Sequence, residues 1–152
     1  MLAMNKKMMA EMKSVNWANL KLSPKLSKLI ELGFYELDDC TFCVAFASLA
    51  TNATVKDFPD KTGYECFVNS IHIDDFVESD YLAHACMFVE GFFNVWRQRK
   101  KKQIIRAIIS SNKSGAVVKF HVIREGESWT DQDLEKYEDA VLVAESSLIE
   151  LR

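Results

Sequence analysis

A chain of 152 residues, 49% apolar and 27% charged, is long enough to bury one core and too rich in apolar residues for wholesale disorder. Two prolines, five glycines and the lack of any repeat of about 20–50 residues exclude a low-complexity linker or a solenoid. The net charge of −3 conceals strong segregation. Residues 1–30 carry six Lys/Arg against one acid, 31–90 two against twelve, 91–124 nine against none, and 125–152 two against nine.

The opening MLAMNKKMMAEMKSV has no sustained apolar core of a secretory signal, because Glu11 and Lys13 interrupt it. No window approaches the roughly 18 apolar residues of a membrane span, so no membrane association and a cytoplasmic location are expected. Met4, Met8 and Met12 recur at four-residue spacing and predict a weak amphipathic helix within residues 1–16. Residues 1–22 are set apart as a segment that the single domain, 1–152, could hold loosely. A second short helix is predicted at Pro24–Leu32, with Ser23 as N-cap, Pro24 at the first helical position and Gly33 ending it.

CTFCVAFASLA is apolar on both alternating faces and predicts a well-covered strand. NATVKDFPDKTG reads as a loop, and YECFVNSIHI alternates well enough for a second strand. A long helix is predicted at Asp80–Arg99, capped by Ser79. Its apolar stripe is Leu82, Cys86, Val89, Phe93 and Trp96, widened by Ala85, Phe88 and Phe92. QIIRAIIS and AVVKFHVI are predicted strands, and SNKSG between them suits a hairpin. A final helix is expected from Thr130, where T-x-x-D resembles a capping box, through Leu134, Tyr137, Val141, Ala144 and Leu148. The expected fold is therefore α+β: a four-stranded, mainly antiparallel sheet in the order ββαββα. Two long helices would cover one face, with short helices at the N-terminus.

Chemical motifs are few. CTFC has the spacing of half a zinc site, but no second pair completes it, and positions three apart on a strand face opposite sides. Cys40, Cys43, Cys66 and Cys86 are read as buried free thiols, with neither metal nor cofactor expected. His72, His84 and His121 show no metal spacing, and no nucleophile elbow, phosphate loop or dinucleotide glycine pattern occurs. Cys66 with His72 or His121 has no positive support as a nucleophile pair, so a small Cys or His enzyme is only a third reading.

Charge is the more informative signal. Pairing the first two expected strands antiparallel would gather Glu36, Asp38 and Asp39 near Asp74, Asp75 and Glu78. The basic block Arg97–Lys102 ends a helix, where cations offset the helix dipole. That local explanation argues against a nucleic-acid grip, which remains the alternative functional reading as a regulatory α+β domain using residues 97–102.

Two stretches, GYECFVNSIHIDDFV and VVKFHVIREGESWTDQDLEKYEDAVLVAESS, resemble segments of small bacterial immunity proteins of polymorphic-toxin and contact-dependent growth-inhibition systems. They share a strand ending in an F-H-V-like run, a Gly-Glu turn and then an acidic capped helix, over about a third of the chain. The resemblance implies a non-catalytic cytoplasmic protein that binds one cognate toxin domain, often a nuclease, through acidic surface. The expected contact residues are Asp38, Asp39, Asp74, Asp75 and Glu78, with Glu125, Glu127 and Trp129 as a second patch. Trp129 would supply an aromatic anchor.

Overall fold

The structure, a computed structural model, describes residues 1–46, 52–99 and 102–152. The class is α+β, as expected, with a mainly antiparallel sheet. That sheet has five strands rather than four. In chain order the strands are β1 (Leu2–Met4), β4 (Ser70–His72), β5 (Ile105–Asn112), β6 (Gly115–Val122) and β7 (Ala140–Glu145). Their spatial order is β1-β7-β5-β6-β4, and every neighbouring pair is antiparallel. A separate hairpin joins β2 (Phe34–Leu37) to β3 (Cys40–Cys43). Among the described residues four α-helices accompany these strands: α1 (Lys6–Ser14), α2 (Pro24–Glu31), α3 (Lys61–Val68) and α4 (Tyr81–Arg97).

Helix α4 is the centre of the molecule. Its apolar residues run nearly all the way round, because β5 and β6 cover one side and α2 the other. Phe88 and Phe92 pack on Phe120 of β6, with ring centroids 6.3 and 5.0 Å apart. Gly91 lets α2 approach, since a Cβ there would meet the Ile30 Cδ1 at 2.5 Å. Alternation along β5 sends Ile105, Ala107 and Ile109 into this core and leaves Arg106 and Ile108 on the opposite face.

Three expected elements are corrected. YECFVNSIHI is mostly helix α3, followed by the three-residue strand β4. Asp60 caps α3 by accepting from the Gly63 amide at 2.7 Å, and helical residues Thr62 to Cys66 are buried on several sides at once. The final helix over 130–148 is instead a loop with one 3-10 turn at Leu134–Lys136, and then strand β7. Leu134 and Tyr137 do pack near Val141 and Val143, but as a loop folded over a strand. The sheet therefore has a second face covered by this loop and α3, not two long helices on one face.

The third correction concerns pairing. β3 pairs with β2, Leu37 opposite Cys40, and not with the strand that follows. Asp38 and Asp39 both have positive φ, 53° and 59°, as a two-residue type I′ turn requires. The expected strand ends at Cys43: Val44–Phe46 form a 3-10 turn, and its remaining residues, 47–50, lie outside the described residues. β1 forms a sheet edge, Met8 is buried in the core, and Asn5 fastens the join. Its Oδ1 accepts from Met8 and Val141 amides at 2.9 and 3.0 Å, and its Nδ2 donates to the Asp139 carbonyl at 2.8 Å.

Candidate functional site

Helix α3 brings two acidic segments of the chain together. The first link is the buried carboxylate of Glu65, which lies wholly inside the protein. One oxygen accepts from the Thr41 amide and Arg124 Nη2, both at 2.6 Å. The other accepts from the Val122 amide at 2.7 Å and Arg124 Nη1 at 2.9 Å. A buried charge requires this complete satisfaction. Hydrogen bonding to Glu65 holds the Arg124 pKa above its usual value. Arg124 Nη2 also donates to the Asp39 carbonyl at 3.0 Å, so the tip of the β2–β3 hairpin is tied to the end of β6.

Asn69, four residues after Glu65, completes the attachment. Its Oδ1 accepts from the Cys43 amide, and its Nδ2 donates to the Thr41 carbonyl, each at 2.8 Å. Glu65 and Asn69 side chains thus stand in for a neighbouring strand along the outer edge of β3. Sequence reading missed both. Their four-residue spacing was a helical signal hidden inside an apolar stretch.

The second link is Glu127. Residues 124–127 form a tight turn in which Gly126 has φ +76°, a type II requirement, and the Glu127 amide donates to the Arg124 carbonyl at 3.3 Å. Glu125 is exposed at the turn's tip. Glu127 turns inward, accepting from Thr62 Oγ1 at 2.6 Å and the Thr62 amide at 3.1 Å. Partial burial pushes its carboxyl pKa up, but the two bonds from Thr62 outweigh that and hold it below the ordinary range. Trp129 then lies across Gly63, and Lys119 Nζ stands 5.9 Å from the centre of its ring. On the other side of the helix start, Lys61 pairs with the Asp39 carboxylate at 3.4 Å.

Asp38, Asp39, Glu125, Glu127 and Trp129 therefore belong to one surface around the first turn of α3. Asp74, Asp75 and Glu78 do not join it. Asp74 packs beside Gly115 at the opposite end of β6, with its Oδ1 where a Cβ on Gly115 would stand. The eight-residue length of β6 separates the two ends by roughly 24 Å. The expected gathering of Asp38 and Asp39 with Asp74 and Asp75 fails because their strands do not pair.

The groups with potential chemistry are mostly buried, His72 being exposed. All four cysteines are free and buried, with Cys40 and Cys43 in different apolar clusters. Burial pushes the Cys40 thiol up to about 11 and Cys86 to about 12, and raises Cys43 and Cys66 as well. His121 donates from Nδ1 to the Val122 carbonyl at 2.9 Å, while its buried Nε2 has no hydrogen-bond partner among the described residues. Burial lowers its pKa, and the nearby Arg106 and Arg124 guanidinium groups act in the same direction. Among the described residues, no three His, Cys, Asp or Glu side chains gather closely enough to hold a metal ion. A cavity of about 340 Å³ lies between the 127–134 loop and the second sheet face, lined by Arg106, Glu127, Asp131, Leu134 and Val143.

The basic block is partly absorbed by the fold. Arg97 donates to the carbonyls of Ser146 and Leu148 at 3.0 and 2.6 Å. Arg99 lies over the Trp96 ring at 4.6 Å and pairs with Glu36 at 3.5 Å. Lys102 is exposed, and Lys100 and Lys101 lie outside the described residues. No helix among the described residues is long and apolar enough to cross a membrane.

The molecule is thus an α+β protein whose five-stranded antiparallel sheet carries an acidic and aromatic surface at one end. It belongs to the Uncharacterized protein PM0498 family, which it matches over residues 3–151. Uncharacterized protein PM0498 of Pasteurella multocida (strain Pm70) is 30% identical over 122 residues, covering 72% of this chain and 77% of that protein. No solved structure matches the chain.

Proposed function

We propose that the protein acts by contact, as a bacterial cytoplasmic immunity protein that binds one cognate toxin domain and blocks it. The observation that carries this reading is the surface around α3, where residues 38–39 and 125–129 meet although 85 positions separate Asp39 from Arg124. Several carboxylates beside an exposed tryptophan combine long-range attraction for a cationic partner with an apolar anchor. A nuclease is a suitable target class, because a site built for phosphate is cationic and attracts such a surface. The nucleic-acid alternative draws less support, since Arg97 and Arg99 already have partners within the fold.

The test is to search the neighbouring genes for a secreted protein with a C-terminal toxin domain and to co-express that domain with this protein; an unrelated neighbourhood would count against the reading. The native protein should restore growth. Asp38→Lys with Glu125→Lys, two exposed side chains at the edges of the surface, should leave the fold intact and reduce protection, most clearly at low expression. Growth arrest that the native protein fails to relieve would refute the reading.

A further inference from the structure

The surface around α3 has an apolar centre that its charges do not reveal. Phe67 is 51% exposed and Trp129 43% exposed, both large values for aromatic side chains. The Phe67 ring lies 5.2 Å from that of Phe58, which in turn stacks on Tyr64 at 5.2 Å. Gly63 stands four residues before Phe67, on the same helical face. A Cβ there would lie 3.7 Å from the Trp129 ring and 3.8 Å from the Phe58 Cβ. Three aromatic side chains therefore surround one bare helical turn. Asp60 is at their centre, its Oδ1 only 3.3 Å from the same Cβ position and 2.7 Å from the Gly63 amide.

The rim is anionic. Asp60 and Glu127 accept hydrogen bonds from the helix start beside the aromatics, Asp39 pairs with Lys61, exposed Asp38 and Glu125 lie in the same two turns of the chain, and Arg124 is neutralised by Glu65. Lys119 donates to the Ser70 hydroxyl at 3.0 Å and its Nζ stands 5.9 Å from the centre of the Trp129 ring, which still leaves that side chain 43% exposed to a partner.

We infer that this face receives a protein segment presenting an arginine, whose guanidinium lies against Trp129 or Phe67 and donates to the carboxylates of Asp60 and Glu127. The inference rests on the partner-contact reading above and names the chemistry of the contact. Arginine fits both halves of the surface. Its flat, weakly hydrated cation stacks on aromatic rings and pairs with carboxylates through a rigid fork. A lysine ammonium keeps its water and matches only the charge.

The experiment titrates hexa-arginine and hexa-lysine peptides into the full-length protein at low salt, followed by amide and indole NMR. The Trp129 indole signal is identified with Trp129→Phe. Hexa-arginine should shift that signal and the amides of residues 60–67, and bind about fivefold tighter than hexa-lysine. Phe67→Ala, at an exposed position, should remove that preference without changing the circular dichroism spectrum. Equal binding of the two peptides, or shifts centred on Asp74–Glu78, would overturn the inference. If the peptides bind equally while Asp38→Lys with Glu125→Lys still lowers protection, the arginine contact fails and the partner reading stands. If arginine is preferred but the native protein does not protect against the neighbouring toxin, the surface chemistry stands and the immunity reading fails.

Discussion

Glu65 is the residue on which the surface depends, although it touches no solvent. Glu65→Ala would leave Arg124 uncompensated and free the amides of Thr41 and Val122, destabilising the fold by about 3–5 kcal/mol. Urea unfolding measures this directly, and a loss below about 1 kcal/mol would show that the network is not structural. His121 supplies a prediction at the same scale. Its folded pKa is depressed by burial below the ordinary 6.5, so the unfolded chain takes up a proton first as pH falls. Its contribution to stability is full above pH 6.5 and declines below it, towards the lower folded pKa. The melting temperature should therefore fall between pH 7 and pH 5, and His121→Gln should flatten that fall. His84 is also depressed by burial, so His84→Gln is the necessary comparison. An unchanged slope in His121→Gln would contradict the assignment.

At the scale of elements, the hairpin β2–β3 shows how a turn can be read from residues once its pairing is known. Asp38 and Asp39 adopt positive φ, a conformation that Asn-Gly takes more easily. Asp38→Asn with Asp39→Gly should raise stability by about 0.5–1 kcal/mol in urea unfolding; a loss would mean that the Lys61–Asp39 pair matters more than the turn. The two long-distance features of the fold were less legible. α2, α4 and the β5–β6 hairpin follow from apolar spacing and turn residues and appear close to where they are expected, but Ser23 makes no side-chain cap bond and Asp80, not Ser79, is the N-cap of α4. α3 was hidden because Tyr64, Cys66, Phe67 and Val68 favour strands locally, and helical packing on several sides overrode that preference. β7 was hidden for the complementary reason. Flanked by β1 and β5 and covered on both faces, AVLVA shows no alternation, and loop residues Leu134 and Tyr137 supplied a false helical period. The candidate surface was legible as residues but not as a place, since Asp38 and Asp39 were grouped with the wrong carboxylates.

At the scale of the whole molecule, charge segregation along the chain becomes two separated acidic ends, roughly 24 Å apart along β6. Only the α3 end combines carboxylates with the exposed rings of Phe67 and Trp129. The central claim is that the partner meets this end. Its most direct test is the association rate of the neighbouring toxin domain, measured at low and high salt for the native protein and two variants. Asp38→Lys with Glu125→Lys should slow association about tenfold or more at low salt, an effect that salt largely removes. Asp75→Lys with Glu78→Lys, at the far end, should slow association less at low salt and stay within about twofold of the native rate at about 0.15 M, where the Debye length of about 8 Å is shorter than the distance between the ends. A slower rate in the far-end variant, with the α3-end variant unchanged, would place the partner at the opposite end of the sheet and contradict the account.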